Sequence, residues 1–231
     1  DRRIYLEAMV DYNRTFGRHD VNAMLLYNQD ELVNNVPGNN LINSLPKRKQ
    51  GLAGRLSYAY DGKYMAEVNM GYNGSENFAK GHRWGFFPSI ALGYNISEES
   101  FFEPLRKVIT SMKLRGSWGM LGNERIGSNY FPYIASMSFG NSLFYMADGS
   151  VVSDKTARPA VLAVEDITWE TTTSTDLGLD VNFLNNRLQF HFDYYWKETK
   201  DMLLNIEIPY FMGYNNPSTN AGKMSTHGYD I

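Results

Sequence analysis

The stretch LAGRLSYAYDGKYMAEVNMGY, residues Leu52–Tyr72, reads as two strands about a turn. Leu52, Gly54, Leu56, Tyr58 and Tyr60 alternate with Ala53, Arg55, Ser57 and Ala59. Beyond Asp61-Gly62, a two-residue hairpin signal, Tyr64, Ala66, Val68, Met70 and Tyr72 alternate with Met65, Glu67, Asn69 and Gly71. Side chains along a strand face opposite ways in turn, so each strand has one apolar and one polar face.

The same alternation recurs along the chain. It is present in Ile4–Tyr12, Val21–Tyr27, Trp84–Tyr94, Leu114–Met120, Thr175–Phe183 and Leu188–Trp196, which makes eight strands, most of about 9–11 residues. A ninth is expected from near Met224. The apolar register of the eight holds 39 positions and no charge. The interleaved register holds 31, of which eight are charged: Glu7, Asp11, Arg55, Glu67, Arg115, Asp176, Asp180 and Asp193. The connections alternate too. Thr15–Gly17, Asp61-Gly62 and Asn185-Asn186 are tight, whereas residues 30–50, 73–83, 121–169 and 198–222 are long. Phe101–Ile109 reads as a short helix. Tight turns at one end and long loops at the other suggest an up-and-down meander.

A soluble β-sandwich and a transmembrane β-barrel both clear charge from one face. Aromatic placement favours the barrel. Tyr60 and Tyr64 flank a tight turn, Tyr72 and Trp84 flank a long loop, and Tyr94, Tyr194 and Trp196 also end strands in the apolar register. Such rings suit a girdle at each bilayer interface, against outer-membrane lipid. The polar register would line a wet lumen, which accounts for a mean hydropathy of −0.41 in a membrane protein.

The remaining composition excludes more than it assigns. A net charge of −3 over 231 residues gives no basic surface for nucleic acid, and the absence of Cys excludes a disulfide scaffold. His19, His82, His191 and His227 are too scattered for a metal site, so neither metal nor cofactor is expected. Glu98-Glu99 and Glu165-Asp166 would splay to opposite sides of a strand and cannot face one glycosidic bond. Gly116, Gly119 and Gly122 lack the Lys-Ser/Thr of a phosphate loop. No catalytic constellation emerges, and the chain reads as a non-enzyme. Binding, if any, belongs to the long loops. Asn123, Tyr130, Tyr133 and Tyr145, with Tyr210 and Tyr214, are the candidates for stacking on a sugar or grasping a peptide.

At greater length, GRLSYAYDGKYMAEVNMGYNGSENFAKGHRWGFFPSIALGYNISEESFF (Gly54–Phe102) resembles the barrel of the SusC/RagA-type TonB-linked outer-membrane transporters of Bacteroidetes. So do MKLRGSWGMLGNERIG (Met112–Gly127), DITWETTTSTDLGLDVNFLNNRLQFHFDYYWKETKDMLL (Asp166–Leu204) and GYNNPSTNAGKMSTHGYDI (Gly213–Ile231). Asn73–Phe78 departs from the Arg-Asp-Gly-Ser-Ser-like run usual there. The resemblance implies an all-β, antiparallel transmembrane barrel of 22 strands around a plug. It also implies a SusD-like surface lipoprotein and TonB as partners, with an oligosaccharide or oligopeptide as ligand. Residues 1–231 would be about eight or nine strands of that barrel, with the plug absent from this chain. The alternatives are a soluble β-sandwich carbohydrate-binding module and a small, complete, passive outer-membrane barrel.

Overall fold

A computed structural model describes residues 1–34, 45–125, 130–161, 163–213 and 216–231. Eleven strands follow one another: β1 (Arg2–Phe16), β2 (His19–Val33), β3 (Lys47–Tyr60), β4 (Tyr64–Ser75), β5 (Trp84–Asn95), β6 (Ile109–Asn123), β7 (Ser136–Tyr145), β8 (Val151–Val161), β9 (Glu170–Phe183), β10 (Leu188–Asn205) and β11 (Ser218–Asp230). Nine form a single antiparallel sheet in the order β1-β2-β3-β4-β5-β6-β9-β10-β11, and β7 and β8 form a separate hairpin between β6 and β9. The fold is an arc of transmembrane barrel. Among the described residues β1 and β11 do not pair, so the chain does not close on itself as a small complete barrel. Nor, among the described residues, does the small β7–β8 sheet pack face to face on the large one, as a sandwich requires.

Strand pairing settles which side chains share a face. Directly opposed residues of antiparallel strands point the same way. Ala23 opposes Leu56, which opposes Val68, then Ile90, Trp118, Thr175 and Trp196. All eight apolar registers read from the sequence thus fall on one surface. That surface is uncovered: Leu56, Val68, Ile90, Leu92 and Leu177 are between 42% and 58% exposed. A protein in water would bury such a band, whereas in a membrane the acyl chains cover it.

Three details depart from the sequence reading. The strands are longer than expected, at 12 to 18 residues in the sheet. Backbone pairing needs no apolar side chains, so it continues past the apolar band into polar runs such as Lys47–Gln50 and Lys197–Asp201. The turn between β3 and β4 has three residues, not two, because Tyr60 pairs with Tyr64. Asp61 and Gly62 both adopt positive φ, 53° and 65°, and the third residue keeps both tyrosines on the apolar face. The expected short helix is a 3-10 segment, Ser100–Lys107, after a single turn at Ile96–Glu98.

The opposite, inner face is polar and cross-linked. Arg115 on β6 donates from Nε and Nη2 to Asp180 on β9 (2.7 and 3.0 Å) and from Nη2 to Asp193 on β10 (2.9 Å). His191 Nδ1 lies 2.8 Å from the same Asp180. Arg115 and Asp193 meet across Gly178, where a Cβ would stand 2.3 Å from Asp193 Oδ1 and 2.8 Å from Arg115 Cζ. Only glycine leaves that path open.

Two substitution series follow. Arginine at Leu56 or Val68 should destabilise the full-length barrel by about 2–4 kcal/mol, while arginine at Ser57 or Asn69, one residue away, should cost far less. Gly178→Val should cost about 1–3 kcal/mol by overpacking. Heat-modifiability on cold gels, or unfolding in detergent, reads both.

Candidate functional site

At the long-loop end of the sheet a small apolar core ties the loops together. Phe78, from the β4–β5 connection, is 1% exposed. Ile167 and Trp169, just before β9, are 2% and 9% exposed, and Phe87, Val164 and Leu203 pack against this cluster. The Trp169 ring lies 5.2 Å from that of Phe78 and 5.3 Å edge-on to that of Phe87. Its indole N–H donates to the carbonyl of Arg83 at 3.2 Å, so a ring that packs apolar residues also satisfies its polar atom. The Asn220 side chain on β11 then clamps the approach to β9. It accepts from Thr168 N–H at 2.8 Å and donates to Thr168 O and Asp201 O at 3.0 and 2.6 Å. These contacts hold the start of β9 against three other elements.

Beside that core, on the inner face of β1 to β4, is a hollow of about 310 Å3 that includes Tyr5, Asn28, Asp30, Lys49, Asn73, Glu124 and Trp169 in its lining. Asn28 and Asn73 oppose Gly51 from either side. A Cβ on Gly51 would be 2.4 Å from Asn28 Oδ1 and 2.6 Å from Asn73 Oδ1, so the glycine lets both carboxamides lean over β3. One row nearer the mouth, Arg3 holds Asp30 through a two-pronged pair (2.8 and 2.9 Å). Lys49 donates to Oε1 of Glu124. The second carboxylate oxygen, Oε2, is buried and has no partner among the described residues. A buried acceptor left unsatisfied is costly, and a ligand hydroxyl or amide N–H could fill it. Two aromatic rings, two amides, a lysine and a carboxylate make a recognition surface for a polar, hydrogen-bonding ligand. They supply no activated nucleophile, and among the described residues no three His, Asp or Glu side chains converge to hold a metal.

The loop residues singled out from the sequence do not form one cluster. Asn123 ends β6 and donates weakly to Glu170 at 3.4 Å, next to Glu124. The Tyr130 ring sits 3.2 Å above the Lys47 ammonium, a cation–π contact two residues along β3 from Lys49. Tyr133 donates to the carbonyl of Glu76 at 3.1 Å and meets Phe131 edge-on. None of these three lines the hollow itself. Tyr145 ends β7 on the separate hairpin and is 80% exposed. Tyr210 begins a one-turn 3-10 helix, Tyr210–Met212, and Tyr214 lies outside the described residues. Sequence reading overlooked Tyr5 and Asn28, which lie in the polar register of strands, and Lys49 and Asn73, which fell at the edges of the expected long loops 30–50 and 73–83 but belong to β3 and β4. Their signal was the run of polar residues continuing each strand's inner face past its apolar band. It also overlooked the β7–β8 hairpin, whose marker is Asp148-Gly149 at the turn, Gly149 having φ 82°.

The profile of the family described as "TonB dependent receptor-like, beta-barrel" matches residues 2–231. The chain belongs to that family. It is 35% identical over 179 residues to the TonB-dependent receptor SusC of Bacteroides thetaiotaomicron, covering 77% of this chain and 17% of the relative. It is 34% identical over 249 residues to the TonB-dependent receptor P39 of Formosa agariphila, covering 97% and 23%. The chain thus spans roughly a fifth of the curated relatives it matches. Among solved structures, the RagAB peptide importer in its closed-closed state superposes with a TM-score of 0.79 at 20% identity, over 99% of this chain and 27% of that one, a likeness of fold. The siderophore receptor PirA of Pseudomonas aeruginosa gives 0.58 at 13% identity, over 98% and 38%. Family membership sets the location as the bacterial outer membrane, and the relatives are receptors and transporters, not enzymes. In such barrels the long loops are extracellular and the tight turns periplasmic.

Trp169→Ala should therefore free the β4–β5 loop, and trypsin should cut at Lys80 or Arg83 at least severalfold faster in the folded barrel, with the rate of cleavage the readout. A second expectation concerns pH. Asp148 accepts from Ser150 N–H and Oγ (2.9 and 2.7 Å), and these bonds hold its carboxyl below the usual range. A depressed native pKa stabilises above the unfolded pKa and is lost as pH falls through the native one. The β7–β8 turn should stay closed down to about pH 4 and open below it, as amide exchange at Ser150 would register.

Proposed function

We propose that this chain forms part of the wall and outer mouth of a TonB-energised importer for oligosaccharides or oligopeptides, working with a SusD-like surface lipoprotein. The observation that carries it is the continuity of the polar register from the lumen wall up to the hollow at the extracellular end. There the carboxamides of Asn28 and Asn73 and the free oxygen of Glu124 lie beside Tyr5 and Trp169. Aromatic faces with amides and a carboxylate suit the stacked rings and hydroxyls of a sugar, or the backbone of an extended peptide. Asn123, Tyr130, Tyr133, Tyr145, Tyr210 and Tyr214 are proposed as further contacts for ligand or lipoprotein. Ligand captured under the lipoprotein would pass along the lumen wall once TonB, acting through the plug, opens the way.

The same reading assigns Tyr60, Tyr64 and Tyr94 to the periplasmic interface and Tyr72 and Trp84 to the extracellular one, with Tyr194 and Trp196 completing the girdle. Supporting this, Tyr64 and Tyr94 stack at 5.1 Å and Tyr72 and Trp84 at 4.8 Å on the uncovered face. Tyr64 also donates to Glu99 of the periplasmic connection at 2.7 Å. That bond holds Glu99 below the ordinary carboxylate range.

Cells lacking the full-length parent should lose growth on one class of glycan or peptide; unchanged growth on every such source contradicts import. For the bound ligand so identified, Asn73→Ala with Glu124→Gln should weaken binding about tenfold or more by removing hydrogen bonds, one of them to a charged group.

A further inference from the structure

On the outer, lipid-facing side the sheet changes character abruptly beyond the extracellular aromatics. The row Gln29–Gln50–Gly74–Trp84 closes the apolar band. Trp84 folds its indole across Gly74, where a Cβ would meet the ring at 2.9 Å, and stacks on Tyr72. In the next outward-facing row Glu31 opposes Arg48, and Glu76 N–H donates to the carbonyl of Arg48, so all three side chains share the lipid-side face. Arg2 reaches Glu31 from β1 at 3.2 Å, while Arg83 approaches Glu76 from the β4–β5 loop.

The bonding within this row is uneven. Glu31 is held closely, 2.7 Å from Arg48 Nε and 3.2 Å from Arg2. Glu76 stands 3.9 Å from Nη1 of Arg48 and 3.9 Å from Nη1 of Arg83, too far to hydrogen-bond either. A hollow of about 150 Å3 here is lined by Arg48, Arg83 and Glu76, together with Trp84 and Gly74. Three arginines face two carboxylates; Arg48 spends its Nε on Glu31 and Arg83 its Nε on the carbonyl of Phe78 at 3.1 Å, which leaves the Nη donors of both without a hydrogen-bond partner among the described residues.

Height decides what this site meets. The charged row lies one two-residue step past Trp84, about 5–7 Å along the membrane normal for a tilted strand. The headgroup layer outside the hydrocarbon is about 5–8 Å deep. We propose that the Arg48–Arg83 hollow binds the phosphate of a phosphorylated glycolipid in the outer leaflet, with the acyl chains of that lipid on the apolar band below. A phosphate presents several oxygens to paired guanidinium forks and carries more charge than the loosely held Glu76 it would displace. The lipid then staples β3 to the β4–β5 loop whose Phe78 and Arg83 carbonyl support Trp169 at the mouth. The inference rests on the outer-membrane barrel reading and is independent of what the barrel imports.

The test titrates the purified full-length barrel in detergent with fluorescent lipid A carrying its phosphate, with the same lipid dephosphorylated, and with inorganic phosphate. Wild type should bind the phosphorylated lipid, more weakly as salt rises. The dephosphorylated lipid and the Arg48→Gln/Arg83→Gln variant should each bind about 10- to 30-fold more weakly. Lys155→Gln, on the distant hairpin, should bind as wild type does. If the double variant fails the heat-modifiability check for folding, Arg48→Lys/Arg83→Lys replaces it; severalfold weaker binding supports the forked site, and wild-type binding overturns it. Equal binding of the dephosphorylated lipid, or of inorganic phosphate as tightly as the lipid, overturns the assignment. Extraction of the protein into buffer without detergent overturns the barrel reading as well.

Discussion

A strand in hydrocarbon has no water to satisfy its backbone, so each N–H and C=O must find a neighbouring strand. Everything else in this molecule depends on that pairing. Once register is fixed by cross-strand hydrogen bonds, a one-residue slip would turn every lipid-facing side chain into the lumen. The pairs Leu56–Val68, Val68–Ile90 and Ile90–Trp118 show the slip avoided from β3 through to β6. The three-residue turn at Asp61–Lys63 serves the same end by bringing Tyr60 opposite Tyr64. The Arg115–Asp180–Asp193 bridge locks the register of β6, β9 and β10 from the inside, and Gly178 is the opening through which it is made.

Much of this was legible in the sequence because period-2 alternation carries the lipid face directly. Val68 and Glu67 differ in burial environment for no reason except parity. What alternation could not give is where strands end. Past Leu52 toward Lys47, or past Trp196 toward Asn205, the outer face leaves the hydrocarbon, and polar residues are acceptable on both sides. The signal fades there while the hydrogen-bond ladder continues. The mouth was hidden for the same reason. Asn28, Lys49 and Asn73 come from three different strands and converge only through pairing across Gly51, whereas sequence reading looked for binding residues in loops rich in Tyr. The β7–β8 hairpin was missed because it has no bilayer to impose clean alternation, leaving only its Asp148-Gly149 turn as a mark.

The fold divides labour by height. On the proposed reading, Glu99 and the stacked Tyr64 and Tyr94 would settle the sheet at the periplasmic interface. Trp84 and Tyr72 would end the apolar band at the other, with the charged row above them meeting headgroups. Above that level the buried Phe78–Ile167–Trp169 core gives the loops a rigid base beside the lumen hollow, so binding residues on strand ends are held by packing instead of being left to loop motion.

The central claim is that one face of this sheet meets lipid and the other meets water. The chain has no cysteine, so single cysteines introduced along β4 in the full-length barrel give the most direct reading. In intact outer-membrane vesicles a charged, water-soluble maleimide should label positions 67 and 69 and leave 66, 68 and 70 unreacted. Labelling that showed no alternation, or alternated in the opposite sense, would contradict the account.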